Sequence, residues 1–289
     1  MITKKPEGKY RFPSGFLLVW LSSLLSLWAC AILGLSPTEQ ALSLAKTHNL
    51  QTIRLQSNEF LLTGFFRHEA PNHHLLVVYI EGDGLAWINR ETLSPDPTPR
   101  DPVALRLMIQ DPTPNALYLG RPCQYVGGQD KGCNPVYWST HRYAKEVVAS
   151  MSHAIDTIKQ QFQARHVGLI GYSGGGVIAA LLVASRSDVS WWITVAANLD
   201  LAAWTAHHQV TPMPASQNPV DFVARMQTVP QTHFIGGQDR QVPESVIRSF
   251  LHHFPASSPV TVRVVPDFSH GCCWVEQWPN LLAGLQGLK

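Results

Sequence analysis

Charge is scarce in this chain. Only 15% of its 289 residues are Asp, Glu, Lys or Arg, and the formal net charge is +2. A nucleic-acid-binding domain carries a larger, clustered basic footprint, so nucleic acid is not an expected partner. Disorder is excluded too, because 45% of the residues are hydrophobic and a disordered chain combines low hydrophobicity with high net charge. No self-similar period runs through the sequence, which excludes solenoids and propellers. The 20 Gly and 21 Pro form no short repeat, which excludes collagen-like chains. Neither Cys-x-x-Cys nor His-Glu-x-x-His occurs, so a zinc mechanism has little support. What remains is a globular α/β protein with nine Trp to fill a core or line a pocket.

Lys4, Lys5, Lys9 and Arg11 open the chain, with Glu7 as the only acid, and residues 16–35 then run uncharged and mostly apolar. A basic stretch followed by an apolar one reads as a signal peptide or membrane anchor, and this one has about the 20 residues that a spanning helix needs. Positive-inside orientation keeps the lysines in the cytoplasm and the rest outside, so the expectation is an exported protein facing the extracytoplasmic space. Leu27-Trp28-Ala29-Cys30 resembles the bacterial lipoprotein signal, which implies lipidation of Cys30; a retained anchor with a buried Cys30 is the alternative. Residues 1–35 are therefore set apart from one domain, 36–289.

Within that domain strands and helices alternate. Residues 53–57 and 60–66 read as an antiparallel opening. The run 75–80, Leu-Leu-Val-Val-Tyr-Ile, suits a strand buried on both faces. Strands are also expected at 116–119, 167–171, 190–196, 233–235 and 260–265. Helical patterns cover 103–109, 142–162, 175–184, 219–226, 244–254 and 278–288, and Asp101-Pro102 is expected to cap the first of these. Such alternation argues for βαβ units and a mostly parallel sheet. Small insertions are expected near 85–115 and 200–226, namely the proline-rich loop 94–100 and the segment 204–218.

Gly171-Tyr172-Ser173-Gly174-Gly175 has the Gly-x-Ser-x-Gly pattern between a strand and a helix, the context of a nucleophile elbow. Ser173 must sit on a tight turn that leaves no room for flanking side chains. The helix behind it offers free N–H groups and its positive end to a developing oxyanion. A serine hydroxyl needs a base oriented by an acid, and for this motif they follow in the order acid, then histidine. Asp239, after a strand ending in Gly236-Gly237, is the expected acid, and His270, in the loop after strand 260–265, is the expected base. Asp200 is the rival acid, since it follows strand 190–196. Of the 13 His, His73-His74 and His252-His253 read as surface pairs, while His207-His208 could line the pocket. A second oxyanion donor is expected after strand 75–80, in Glu81-Gly82-Asp83-Gly84: the Asp83 N–H beside that of Gly174, with the Asp83 carboxylate turned away.

These residues resemble the α/β-hydrolase superfamily of serine hydrolases, over roughly 75–288. Within it, Tyr79-Ile80-Glu81-Gly82-Asp83-Gly84, Arg121-Pro122-Cys123-Gln124-Tyr125, Tyr137-Trp138, Ala197-Asn198-Leu199-Asp200 and Ser269-His270 look like a bacterial group of exported hydrolases. The resemblance implies an α/β-hydrolase fold with a central, mostly parallel eight-stranded sheet flanked by helices. It also implies acyl transfer on Ser173, His270 and Asp239, with no cofactor and no metal.

Cys123 and Cys133 bracket a polar loop, where a disulfide would add on the order of 2–3 kcal/mol. Cys272 and Cys273 are adjacent, and read either as free thiols or as a vicinal disulfide stiffening the histidine loop. Trp87, Trp138, Trp204 and Trp274 lie in loops that could wall an acyl site or pack the core. The main expectation is an esterase acting on a small-molecule acyl ester. A thioesterase or peptidase with the same triad is one alternative, and an inactive exported binding protein of the same fold is another.

Overall fold

The computed structural model describes residues 34–71, 73–127, 130 and 132–285. The basic opening and Cys30 lie outside the described residues. Among the described residues, no helix is long and apolar enough to cross a membrane. Residues Pro37–Lys289 form one compact unit.

The unit begins with α1 (Pro37–Thr47), β1 (Gln51–Ser57), β2 (Phe60–His68) and β3 (Leu75–Ile80). It continues through α2 (Val103–Gln110), β4 (Asn115–Leu119), α3 (Lys145–Gln161), β5 (His166–Tyr172) and α4 (Gly174–Ser185). It ends with β6 (Val189–Val195), α5 (Leu201–His208), α6 (Val223–Met226), β7 (Gln231–Gly236), α7 (Glu244–Leu251), β8 (Val260–Val265) and α8 (Trp274–Ala283). All eight strands join one sheet in the order β1-β2-β4-β3-β5-β6-β7-β8. β2 pairs antiparallel with both β1 and β4, and every other pairing is parallel.

A parallel sheet must be covered on both faces, and the strand sequences meet that demand by alternation. Leu76, Val78 and Ile80 of β3 enter one core cluster with α3, α4 and α7, while Val77 and Tyr79 enter the other with α1, α2 and α8. α4, apolar all round, is buried from Gly174 to Val183, as expected of a helix pressed between neighbours.

Three helices depart from the sequence expectation, and α8, expected over 278–288, instead runs Trp274–Ala283. Residues 37–47 were not expected to be helical, and α5 occupies part of what read as an insertion at 204–218. Asp101 does not cap α2 with its side chain; its carboxylate instead holds Arg106 at 2.9 Å.

Candidate active site

β5 ends at Tyr172 and α4 starts at Gly174, so Ser173 alone makes the turn, at φ 51° and ψ −123°. A side chain in this left-handed region is strained, and the neighbours explain why the turn is this tight. A Cβ on Gly171 would fall 2.4 Å from the Gly175 carbonyl oxygen. The turn is held by the Ser173 N–H donating to Val195 O and the Gly176 N–H donating to Ser173 O.

Three side chains from three loops meet here. The Ser173 hydroxyl lies 3.0 Å from His270 Nε2, and His270 Nδ1 lies 2.8 Å from Asp239 Oδ2. The other Asp239 oxygen accepts the Gln241 and Val242 N–H groups, both at 2.8 Å, so the carboxylate cannot rotate freely. An ionised Asp239 keeps the proton of a neutral imidazole on Nδ1, leaving Nε2 to accept from the serine. The histidine loop is pinned from below: Tyr172 Oη and Trp274 Nε1 both donate to the His270 carbonyl. Cys272 and Cys273 are bonded as a vicinal disulfide.

Asp200, the rival acid, does not approach His270. It is the N-cap of α5, accepting the Ala202 and Ala203 N–H groups and the Ser249 hydroxyl. His207 and His208 do not line the cavity above Ser173; they end α5, where His208 Nε2 meets the Gln241 carbonyl. Of the four loop tryptophans, Trp87 and Trp204 wall the cavity. Trp138 and Trp274 are buried supports, with Trp138 Nε1 donating to Ser94 O.

The cavity holds about 480 Å³ and is lined by Leu85, Trp87, Val103, Trp204 and Val242 beside Arg142, Asn198, Ser173 and His270. The loop 82–84 closes one side. The Asp83 carboxylate is turned into a cluster that sequence reasoning did not supply, Arg121, Arg142 and Tyr143. Burial pushes its carboxyl up, but the Arg142 and Arg121 guanidiniums outweigh that and hold it below the usual range. Among the described residues the Asp83 N–H has no acceptor. That of Gly174, first in its helix, has none within the helix. Cys123 and Cys133 are joined by a disulfide in the segment that carries Arg121 and Gln124.

Glu81, buried beneath the same loop, accepts the Gly82 N–H at 2.9 Å. Burial is the main cause that raises its carboxyl to about 7, against the opposing Gly82 hydrogen bond. An unfolded Glu ionises near 4.5, so between that pH and about 7 the unfolded state holds fewer protons and stability falls as pH rises. The interval corresponds to roughly 3 kcal/mol. Glu81→Gln removes this titration. The stability of the variant relative to wild type should therefore climb by up to about 3 kcal/mol between pH 4.5 and 7.5 in urea denaturation. A difference independent of pH would show that Glu81 titrates normally.

A mostly parallel eight-stranded sheet with a serine at a strand–helix elbow defines an α/β-hydrolase. The chain belongs to the serine hydrolase (FSH1) family, whose model matches residues 123–270, just over half of it. No curated protein matches the sequence. The fold is similar to the Pyrococcus furiosus esterase Pf2001, with a TM-score of 0.59 at 14% identity over 83% of this chain and 93% of that one. It is also similar to an α/β serine hydrolase homologue from Coxiella burnetii (TM-score 0.55, 16% identity, 81% and 97% covered). A third similar structure is the Pyrococcus horikoshii acylaminoacyl peptidase (0.57, 12%, 77% and 37%).

Proposed function

We propose that this serine hydrolase cleaves carboxylic esters through an acyl-enzyme. Ser173 Oγ attacks the carbonyl carbon as its proton passes to His270 Nε2. The tetrahedral oxyanion is met by the N–H groups of Gly174 and Asp83, and the alcohol departs with the proton from Nε2. Water repeats the sequence on the acyl-enzyme, giving up its proton to Nε2 and releasing the acid and free Ser173. Asp239 holds the imidazole tautomer and stabilises the cation that forms. The observation that carries this reading is the hydrogen-bonded line Ser173–His270–Asp239 at the cavity wall.

Apolar walls around about 480 Å³ suit small or medium acyl groups. Amides are the second reading, because an acylaminoacyl peptidase shares the fold. We propose also that the protein acts outside the cytoplasm, held at the membrane by its N-terminal segment. The basic-then-apolar opening supports this, as does the Cys123–Cys133 bridge, since disulfides persist in oxidising compartments.

Fluorophosphonate labelling tests the nucleophile: wild type should label and Ser173→Ala should not. Equal labelling of both, or of neither, would favour a binding protein that kept the fold. Nitrophenyl esters of increasing chain length, set against matching nitroanilides, then separate esterase from peptidase.

A further inference from the structure

The Asp83 side chain sits where a carboxylate should be harmful. It lies against Gly174, close enough that a Cβ there would come 2.1 Å from Asp83 Oδ1. In the proposed reaction, negative charge develops at the N–H groups of these same two residues. A bare carboxylate beside a forming oxyanion would raise the barrier. This one is not bare. Arg142 Nη1 reaches Oδ2 at 2.7 Å, Arg121 Nη1 reaches Oδ1 at 3.0 Å, and the Tyr143 hydroxyl lies 3.0 Å from both oxygens. The guanidinium side chains are 12% and 5% exposed, and two cations against one anion leave the cluster net positive.

The same partners fix the loop in space. Gln124 Nε2 donates to Gly82 O at 3.0 Å and Gln124 Oε1 accepts the Arg121 N–H at 2.9 Å. Arg121 Nη2 in turn holds the Arg142 carbonyl. The Asp83 carboxylate is therefore tied to the segments carrying Arg121, Arg142 and Tyr143, and its Oδ1, the oxygen that Arg121 holds, also lies against the first residue of α4.

We propose that Asp83 is a positioning residue. Its carboxylate, clamped by Arg121, Arg142 and Tyr143, sets the direction of its own N–H and its spacing from the Gly174 N–H, so that the oxyanion site exists before substrate arrives. The inference rests on the hydrolase reading above and adds to it a side-chain function. Preorganised donors act on the transition state more than on the ground state, so the clamp governs kcat rather than KM.

Asp83→Asn keeps the shape and removes the charge that gathers the two arginines. Its kcat on a nitrophenyl ester should fall roughly 10²-fold, as for loss of one oxyanion donor, with KM within about twofold. A trifluoromethyl ketone, which forms a tetrahedral adduct with Ser173, should lose affinity by the same factor. Tyr143→Phe removes one donor of the clamp and little else. It should lose about threefold to tenfold in kcat, with a parallel loss of ketone affinity, and it decides the matter where Asp83→Asn does not fold. Unchanged kcat and ketone affinity in a folded variant would overturn the clamp while leaving the hydrolase intact. So would a loss that appears in KM alone. Absence of Ser173-dependent turnover in the wild type would remove the hydrolase reading, and the clamp with it.

Discussion

Replacement of His270 by Ala should lower kcat by roughly 10³–10⁶-fold, the range seen when a triad that works as a unit loses its base. The size follows from the geometry. Among the described residues, only Nε2 of His270 is hydrogen-bonded to the Ser173 hydroxyl, at 3.0 Å. Without that acceptor the attacking oxygen must keep its proton. In the proposed ester cleavage the leaving alcohol would also lose its donor, so both halves of that reaction would suffer. The imidazole is mostly buried, at 12% exposure, but the His270 carbonyl is held by Tyr172 and Trp274, which an alanine preserves, so the fold should survive. Circular dichroism and thermal melting would establish that, and ester turnover would give the loss. Activity within tenfold of wild type in a folded His270→Ala protein would reassign the base.

The second large effect separates two aspartates that the sequence left in competition. Asp239→Asn should cost roughly 10⁴-fold in kcat, as a wrong imidazole tautomer does. The replacement amide oxygen would keep the bonds from the Gln241 and Val242 N–H groups that Asp239 Oδ1 now accepts. That turns the amide NH2 toward His270 Nδ1, where it can only donate. Nδ1 must then lose its proton, Nε2 must carry it, and the serine loses its base. Asp200→Ala should do the opposite: removal of an N-cap costs about 0.5–2 kcal/mol of stability and leaves kcat within a few-fold. Steady-state kinetics beside urea denaturation would distinguish them. A protein in which Asp200→Ala is the inactive variant and Asp239→Asn the active one would contradict the hydrogen bonds described here.

What the sequence discloses depends on how local each cause is. Strands 75–80 and 260–265 carry their own signal, a continuous apolar run in the first and valines interleaved with Thr261 and Arg263 in the second, and appear with the expected limits. Helix α5 was hidden because its sequence, Leu-Ala-Ala-Trp-Thr-Ala-His-His, lies in a stretch rich in turn residues downstream. Its start was nevertheless visible in Asp200, a preferred N-cap residue, which read as a catalytic candidate. The elbow at Ser173 is legible because glycines and serine are adjacent. The cluster around Asp83 is not, since its partners stand 38, 59 and 60 residues away. No short window contains them, and isolated arginines read as surface until the chain folds.

The turn that lifts Ser173 carries one more implication. A serine held at φ 51° gives up on the order of 1–3 kcal/mol that a glycine in its place would recover. A Ser173→Gly form of this chain, which lacks the proposed nucleophile, should therefore be more durable than the native one. Engineering that rewards heat tolerance alone would drift toward an inert protein, and only a screen that also demands turnover would keep the serine.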